Sequence, residues 1–517
     1  MATYSGDQNE ENKMPNTSAR TYNKSHGPLE SEPNPSPTFS PQRNMIDRIS
    51  NLPKAAPLKI HFVIVGAGLA GLATAISLRR IGHNVTVLEK SKSPPMTSGG
   101  TRIPPNASKI FFSWGYEQGL RAITLKSGAL HLYLQSTGES LGTHVWDEEV
   151  LKETRGEFLF AHHCDLWRFL LAKATALGAT VRMNSTVISI DANLKKVVLS
   201  SGDQIYGDVI IGADGLLGVS RATLLSSQED FEELPKESSI TLSMYSFVVP
   251  NSAIEKEDEL ASFLEEDQTT LRTWFGHSRG VLAFPVGGTP EFAVYAYGPK
   301  SEHEKTWTEP ITIKDANSIF GSCESRLKKL GSLADSAVCI PVDDVPELED
   351  WVDGRLVVVG NAAHPLPPGS IQECALGVED AAVLGRLFSH LSSEDQISSF
   401  LWAFQDIRQE RCASITRKER EIVQFITAET GTPLQQGRDE AMRAKRDAGV
   451  YALRSLGNTI EETQEWLDIK DVFAYDAEDE ADNWWVQWGL LRERANYAEF
   501  DSPEIHAITY THLEPLY

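Results

Sequence analysis

An α/β fold is predicted for this chain, with a Rossmann-like dinucleotide-binding domain, an inserted antiparallel sheet and a helical C-terminal region. Three observations predict it. A strand, a glycine-rich loop and a helix run from Lys59 to Gly82, and a second strand ends at Glu89. β-type segments bounded by Gly and Pro fill the middle of the chain, and helical patterning dominates from about Val378 onward. The 517 residues exceed what one core holds, so two intimately packed domains plus tails are expected.

The elements follow in order. Residues 1–50 are rich in Ser, Asn, Pro, Glu and Gly and poor in large apolar side chains. Such a segment cannot offset its ordering entropy by burial, and a disordered tail is expected. IHFVIV is a short apolar run of the buried-strand type, GAGLAG a tight loop, LATAISLRRIG a helix and NVTVLE a second strand. Together they form one βαβ unit. ATVRMNSTVISID, KKVVLSS and DVIIGADG continue the strand pattern, and ITLSMYSFVVP, VLAFPV and EFAVYAYG read as an antiparallel sheet. GRLVVVGNAAHPLPPG returns to strand followed by loop. The expected organisation is a nucleotide-binding domain over 58–225 and 340–425, a β-rich substrate domain over 226–339 and a helical extension over 426–517. In that extension Trp466, Trp484, Trp485 and Trp488 are expected to pack on the body.

Composition excludes several functions. A formal net charge of -24 repels nucleic-acid phosphates and anionic membrane surfaces. The five cysteines contain no C-x-x-C pair, which argues against a zinc or other metal site, a disulfide framework and a redox dithiol. A reduced, cytoplasmic setting is expected. No signal-peptide pattern opens the chain, and no apolar run approaches the roughly 20 residues of a membrane span.

Gly66, Gly68 and Gly71 lie between the first strand and the helix. The first permits a tight turn, the second lets the backbone approach a pyrophosphate, and the third allows close helix packing. The helix N-terminus offers unpaired N–H groups to the phosphates. Glu89, about twenty residues on, is placed to accept ribose hydroxyls. A second motif, DVIIGADGLLGVSR, holds Asp214, Gly215 and Arg221, and a third is GRLVVVGNAAHPLPPGSIQECALGVEDAAVLGRLF.

In order and spacing, these three segments resemble the FAD-dependent aromatic hydroxylases, a family that includes salicylate and para-hydroxybenzoate hydroxylases. The resemblance runs from about Lys59 to about Phe425. It implies an FAD-binding domain with Gly66, Gly68, Gly71 and Glu89 on the adenosine side and Asp214 in the second cofactor motif. Gly100 in SGGTRIPPNA is a further implied contact. His163 stands where the family has an Arg, and Asn361 where it has the Asp that grips the ribityl chain. Glu373 and Cys374 stand where it has Gly and Ala beside the flavin ring. The Glu373 side chain is expected to turn away from the flavin, since its charge would oppose that of the reduced ring. Cys374 is read as a small buried filler and His364 as a loop-positioning residue.

The implied activity is that of a monooxygenase. NAD(P)H binds transiently and reduces FAD, O2 converts the flavin to a C4a-hydroperoxide, and one oxygen passes to a small aromatic or polyketide-like substrate, as in secondary metabolism. Arg221 and Tyr245 are the candidate catalytic residues, Arg221 alternatively serving in an intradomain ion pair and Tyr245 in packing. Phe247, Trp274, Phe284 and Pro285 are expected beside Tyr245 in the pocket wall. A monomer or homodimer is expected. Two alternatives stay open: a flavin oxidoreductase of another reaction type, and a non-catalytic flavin-binding relative.

Overall fold

The computed structural model describes residues 53–93, 99–146, 148–227, 242–265, 269–288, 290–299, 311–312, 321–343, 345–452 and 470–491. The expected N-terminal tail and Trp466 lie outside these residues.

β1 (His61–Val65) is an apolar run because it is covered on both faces: Phe62, Val63 and Ile64 are fully buried. Burial of each such side chain contributes about 1.5–3 kcal/mol. The chain turns at Gly66, whose φ of +103° is the left-handed region, and enters α1 (Leu69–Arg80). β2 (Asn84–Leu88) returns parallel to β1, and β3 (Gly100–Ile103) crosses away from that sheet. α2 (His163–Ala176) follows, then β4 (Val209–Gly212). Next come β5 (Leu242–Pro250), β6 (Thr270–Gly276), β7 (Arg279–Val286), β8 (Glu291–Pro299) and β9 (Ser336–Val342). β10 (Leu356–Val358) leads to three helices used below: α3 (Glu373–Phe388), α4 (Gln396–Ile426) and α5 (Ala477–Trp484).

These strands form two main sheets. The six-stranded sheet has the order Val352–Asp353, β10, β4, β1, β2, Thr180–Arg182, and is parallel except at its Val352–Asp353 edge. The eight-stranded sheet has the order Ile311–Thr312, β9, β5, β8, β7, β6, Ala129–Leu134, Ser140–Val145. It is antiparallel except where β6 runs parallel to Ala129–Leu134. Its last two strands come from outside the 226–339 stretch expected to supply it.

The eight-stranded sheet is buried on both faces. One face carries Tyr245, Phe247 and Trp274 against Leu260, Phe263 and Leu327 of the helical segments. The other carries Met244, Phe284, Tyr295 and Tyr297, and this face meets the nucleotide-binding elements. α3 lies close along α1, where a Cβ on Gly385 would collide with Ser77. At the C-terminal end the Trp485 ring stacks on His390 at 4.2 Å, and Arg386 pairs with Asp482. Trp488, 62% exposed, does not pack as expected.

Candidate active site

A cavity of about 640 Å³ opens between α1, the loop after β4, and the start of α3. Its wall includes Gly66, Gly68, Glu89, Gly100, His163, Asp214, Asn361, Glu373 and Cys374. Of the candidate cofactor residues only Gly71 is not in the wall. It packs beneath, where a Cβ would collide with the Gly66 carbonyl oxygen.

The cradle end is built from main chain. α1 starts at Gly68 with no side-chain cap, so the first-turn amides are free toward the cavity. An added Cβ on Gly68 would meet no atom closer than Ala213 O at 4.0 Å. It would project into open space. Glu89 accepts from the Ala67 amide at 2.8 Å and the Ser91 amide at 2.9 Å. A carboxylate has about four acceptor sites, which leaves capacity for ribose hydroxyls.

At the middle, α2 begins at His163, whose amide bonds to Gly99 O at 3.0 Å. Burial, helped by His162, pulls the His163 pKa down to about 4, so the ring is neutral. Its Nδ1 is buried and has no partner among the described residues. An orphaned ring nitrogen in a cavity wall fits a polar ligand such as FAD, as do the free helix amides. Asp214 accepts from the Ser220 amide at 3.0 Å, and burial raises its pKa.

The far end is set by the start of α3. Gly360, with φ +58°, and Asn361 close the loop after β10. The Gly360 amide bonds to Asp380 Oδ2 at 2.8 Å, and His364 Nε2 reaches the same oxygen at 2.6 Å. Arg408 holds the other oxygen at 2.8 Å and also pairs with Glu379, which bonds Asn106. Burial opposes charge on His364, but Asp380, then Cys412, raise its pKa to about 10. His364, Asp380 and Cys412 have ligand atoms within 4.8 Å of one another, yet they engage each other and Arg408. His364 is thus a loop-positioning residue.

Glu373 departs from expectation. It does not turn away: its side chain is in the cavity wall, and its exposure is to the cavity. The surrounding protein raises its pKa to about 7, chiefly by burial, with Arg102 opposing and Glu419 adding. A helix start tolerates an acid, but the amides of Ile371 and Gln372 are already taken by Glu419, each at 3.1 Å. That leaves Glu373 less reason to fold back. Beside it the Cys374 thiol is pushed up to about 12 by burial and by Glu373, which makes it a neutral filler.

Two candidates fall elsewhere. Arg221 is buried beneath the cofactor loop and donates to the carbonyls of Ala362, Ala363 and Pro346. It braces the segment that presents Asn361, and neither of its expected roles matches those contacts. Tyr245 faces away from the cofactor side with Phe247 and Trp274; of the expected wall residues, Phe284 alone is in the cluster on that side. The residues that occupy the facing side are Tyr295 and Tyr297, three and one positions before Gly298. Tyr295 donates to Gly100 O, and Tyr297 to Pro368 O, both at hydrogen-bonding distance, 2.5 and 2.8 Å. Arg102 donates to Gly369 O and lies over the Tyr295 ring at 5.7 Å. The Y-A-Y spacing of two was the available signal for the tyrosines.

Comparison with known proteins agrees with this geometry. The profile of a family described as FAD binding domain matches residues 59–419. FAD-dependent monooxygenase OpS4 of Beauveria bassiana (strain ARSEF 2860) is 27% identical over 387 residues, covering 74% of this chain and 89% of that protein. 6-hydroxynicotinate 3-monooxygenase of Bordetella bronchiseptica (strain ATCC BAA-588 / NCTC 13252 / RB50) is 25% identical, covering 69% and 90%. A salicylate hydroxylase substrate complex superposes with a TM-score of 0.63 at 19% identity, covering 82% of this chain and 97% of the other. Among the described residues no helix is long and apolar enough to cross a membrane.

Proposed function

We propose, from the premise that the chain belongs to the FAD binding domain family and is an FAD-dependent monooxygenase, that it oxygenates a small aromatic or polyketide-like molecule beside the Gly100 side of the cavity, against Tyr295 and Tyr297. The observation that carries this reading is the aromatic face formed by Phe284, Tyr295 and Tyr297, held against Gly100 and the Pro365–Gly369 loop by the two tyrosine hydroxyls. Such a wall suits a flat aromatic ring. One relative is named for 6-hydroxynicotinate and one structural neighbour for salicylate, both flat aromatic rings that carry polar substituents.

In this reading the free amides of α1 hold the pyrophosphate and Glu89 the ribose. His163 and Asn361 bond the middle of the cofactor, and the start of α3 meets the ring. When bound, FAD supplies two-electron reduction by NAD(P)H and the activation of O2. The chain's own work is to orient ring and substrate and to keep water from the reacting space, which falls to the Tyr297–Pro368 and Arg102–Gly369 contacts. Gly100, Asp214 and Cys374 complete the cofactor wall. The reading keeps the cytoplasm as its compartment and a monomer or homodimer as its working form.

The test is isotopic. Purified flavin-loaded protein is supplied with NAD(P)H, labelled O2 and a panel of phenols, pyrones and aromatic acids. One labelled oxygen is expected in a product. Flavin turnover that gives only peroxide across the panel, and across an extract of the producing cells, would overturn the reading.

A further inference from the structure

The carboxyl of Glu373 lines the cavity, and the polar groups around it differ in how they respond near neutral pH. Arg102, from β3, is a permanent cation. Glu419, from α4, is held by two main-chain amides, and burial raises its pKa, as it does that of Asp214 elsewhere in the cavity wall. Tyr295 and Tyr297, from β8, are buried and their hydroxyls are pushed well above the ordinary phenol range by burial. The Cys374 thiol is neutral, and so is the His163 ring. Of the neighbouring carboxyls Glu373 and Glu419, Glu373 is the one that lines the cavity itself.

It also shares the cavity wall with Gly100, Asn361 and Cys374 and has Arg102, Tyr295 and Gly369 as neighbours, whereas Glu89 in the same wall holds the Ala67 and Ser91 amides at the cradle end. FAD is one extended molecule, so a dinucleotide seated on the cradle carries its ring toward Glu373.

We propose that Glu373 is a proton-accepting residue coupled to flavin reduction: when the bound ring receives two electrons, the Glu373 carboxylate takes up a proton. The step balances. Two electrons and one proton enter the ring, which leaves it with one negative charge. A second proton from solvent forms the O–H bond on Glu373, so the cavity gains no net charge. The driving force is like-charge repulsion, which raises the affinity of a carboxylate for its proton. A pKa already lifted to about 7 means that little further shift is needed near neutrality. The inference rests on the FAD assignment but not on oxygen transfer, because it is tested without O2.

The experiment is an anaerobic redox titration of the FAD-loaded protein with dithionite across a pH series from about 7 upward. Wild type is expected to take up two protons per two electrons, and Glu373→Gln one, so the pH slope of the midpoint potential should halve in the variant. Equal slopes would overturn the proposal. If Glu373→Gln does not retain FAD, Glu373→Gly replaces it. Independently of any variant, reduction of wild type should produce the infrared carbonyl band of a newly protonated carboxyl, shifted in heavy water. Absence of that band would also overturn it.

Discussion

His364 Nε2 and Asp380 Oδ2 lie 2.6 Å apart, and the same oxygen accepts the Gly360 amide at 2.8 Å. One buried carboxylate therefore fixes both the loop that presents Asn361 and the histidine beneath it. The Asp380 pKa is held down to about 2: burial opposes, and His364 and Arg408 outweigh it. Asp380→Asn should leave two buried cations under-compensated and cost about 3–5 kcal/mol. The pH dependence follows from His364. Its folded pKa lies above its ordinary value of 6.5, so its contribution is complete below that pH and is lost as pH rises toward about 10. Wild-type stability in urea should decline over that window. Asp380→Asn should flatten the decline, and an equally steep slope in the variant would remove the pair as its source.

Gly68 and Gly71 separate cofactor binding from folding. A Cβ at 68 has open space, whereas one at 71 collides with Gly66 O. Gly68→Val is expected to keep the wild-type melting temperature of the apoprotein and lose FAD. Gly71→Val should lower the melting temperature as well. Flavin absorbance of purified Gly68→Val equal to wild type would show that the α1 amides are not the phosphate site.

Asn361 and Glu373 share one cavity wall, so their effects on FAD should not be additive. Asn361→Asp exchanges a neutral acceptor for a charged one, a gain of about 1 kcal/mol, or roughly fivefold in affinity. With Glu373 in place a second carboxylate adds repulsion, and the gain should vanish. In a Glu373→Gly background it should appear. Titration of the four apoproteins with FAD measures the coupling directly.

Tyr297 and Tyr245 test which face of the eight-stranded sheet serves the reaction. Tyr297→Phe removes a hydrogen bond to Pro368 worth about 0.5–1.5 kcal/mol, and loosens the loop that shields the reacting space. More peroxide per NAD(P)H oxidised is the expected result. Tyr245→Phe, on the opposite face, should change stability alone. The reverse pattern would put the substrate on the Tyr245 side.

What was legible in the sequence was whatever neighbouring residues determine together. The turn at Gly66, the amides of α1 and Glu89 lie within one βαβ unit, and their roles follow from local spacing. The face of a strand is read from polar and apolar alternation. β5 has none, because helices cover one side of its sheet and the cofactor elements the other. Tyr245 and Tyr297 were therefore not distinguishable by hydropathy. Arg221 acts on carbonyls more than a hundred residues away, and carbonyls leave no trace in a sequence. Glu419 is hidden for the same reason: it caps α3 from the middle of another helix. Once that cap is known, the outward-facing Glu373 ceases to be surprising.

The order of the six-stranded sheet also governs how the chain is made. β1 is flanked by β2 and β4, while β10 on the far side of β4 lies roughly 300 residues downstream of β1, so synthesis at 5–20 residues per second leaves the sheet incomplete for about 15–60 s. For the roughly 145 residues between β4 and β10, about 7–30 s, the exposed edge of β4 is an unpaired apolar strand on the ribosome. The intervening eight-stranded sheet, whose strands run from Ala129 to Val342, finishes first and stands beside it. Yield in a foreign host should thus depend on chaperone supply during elongation more than on the stability of the finished protein.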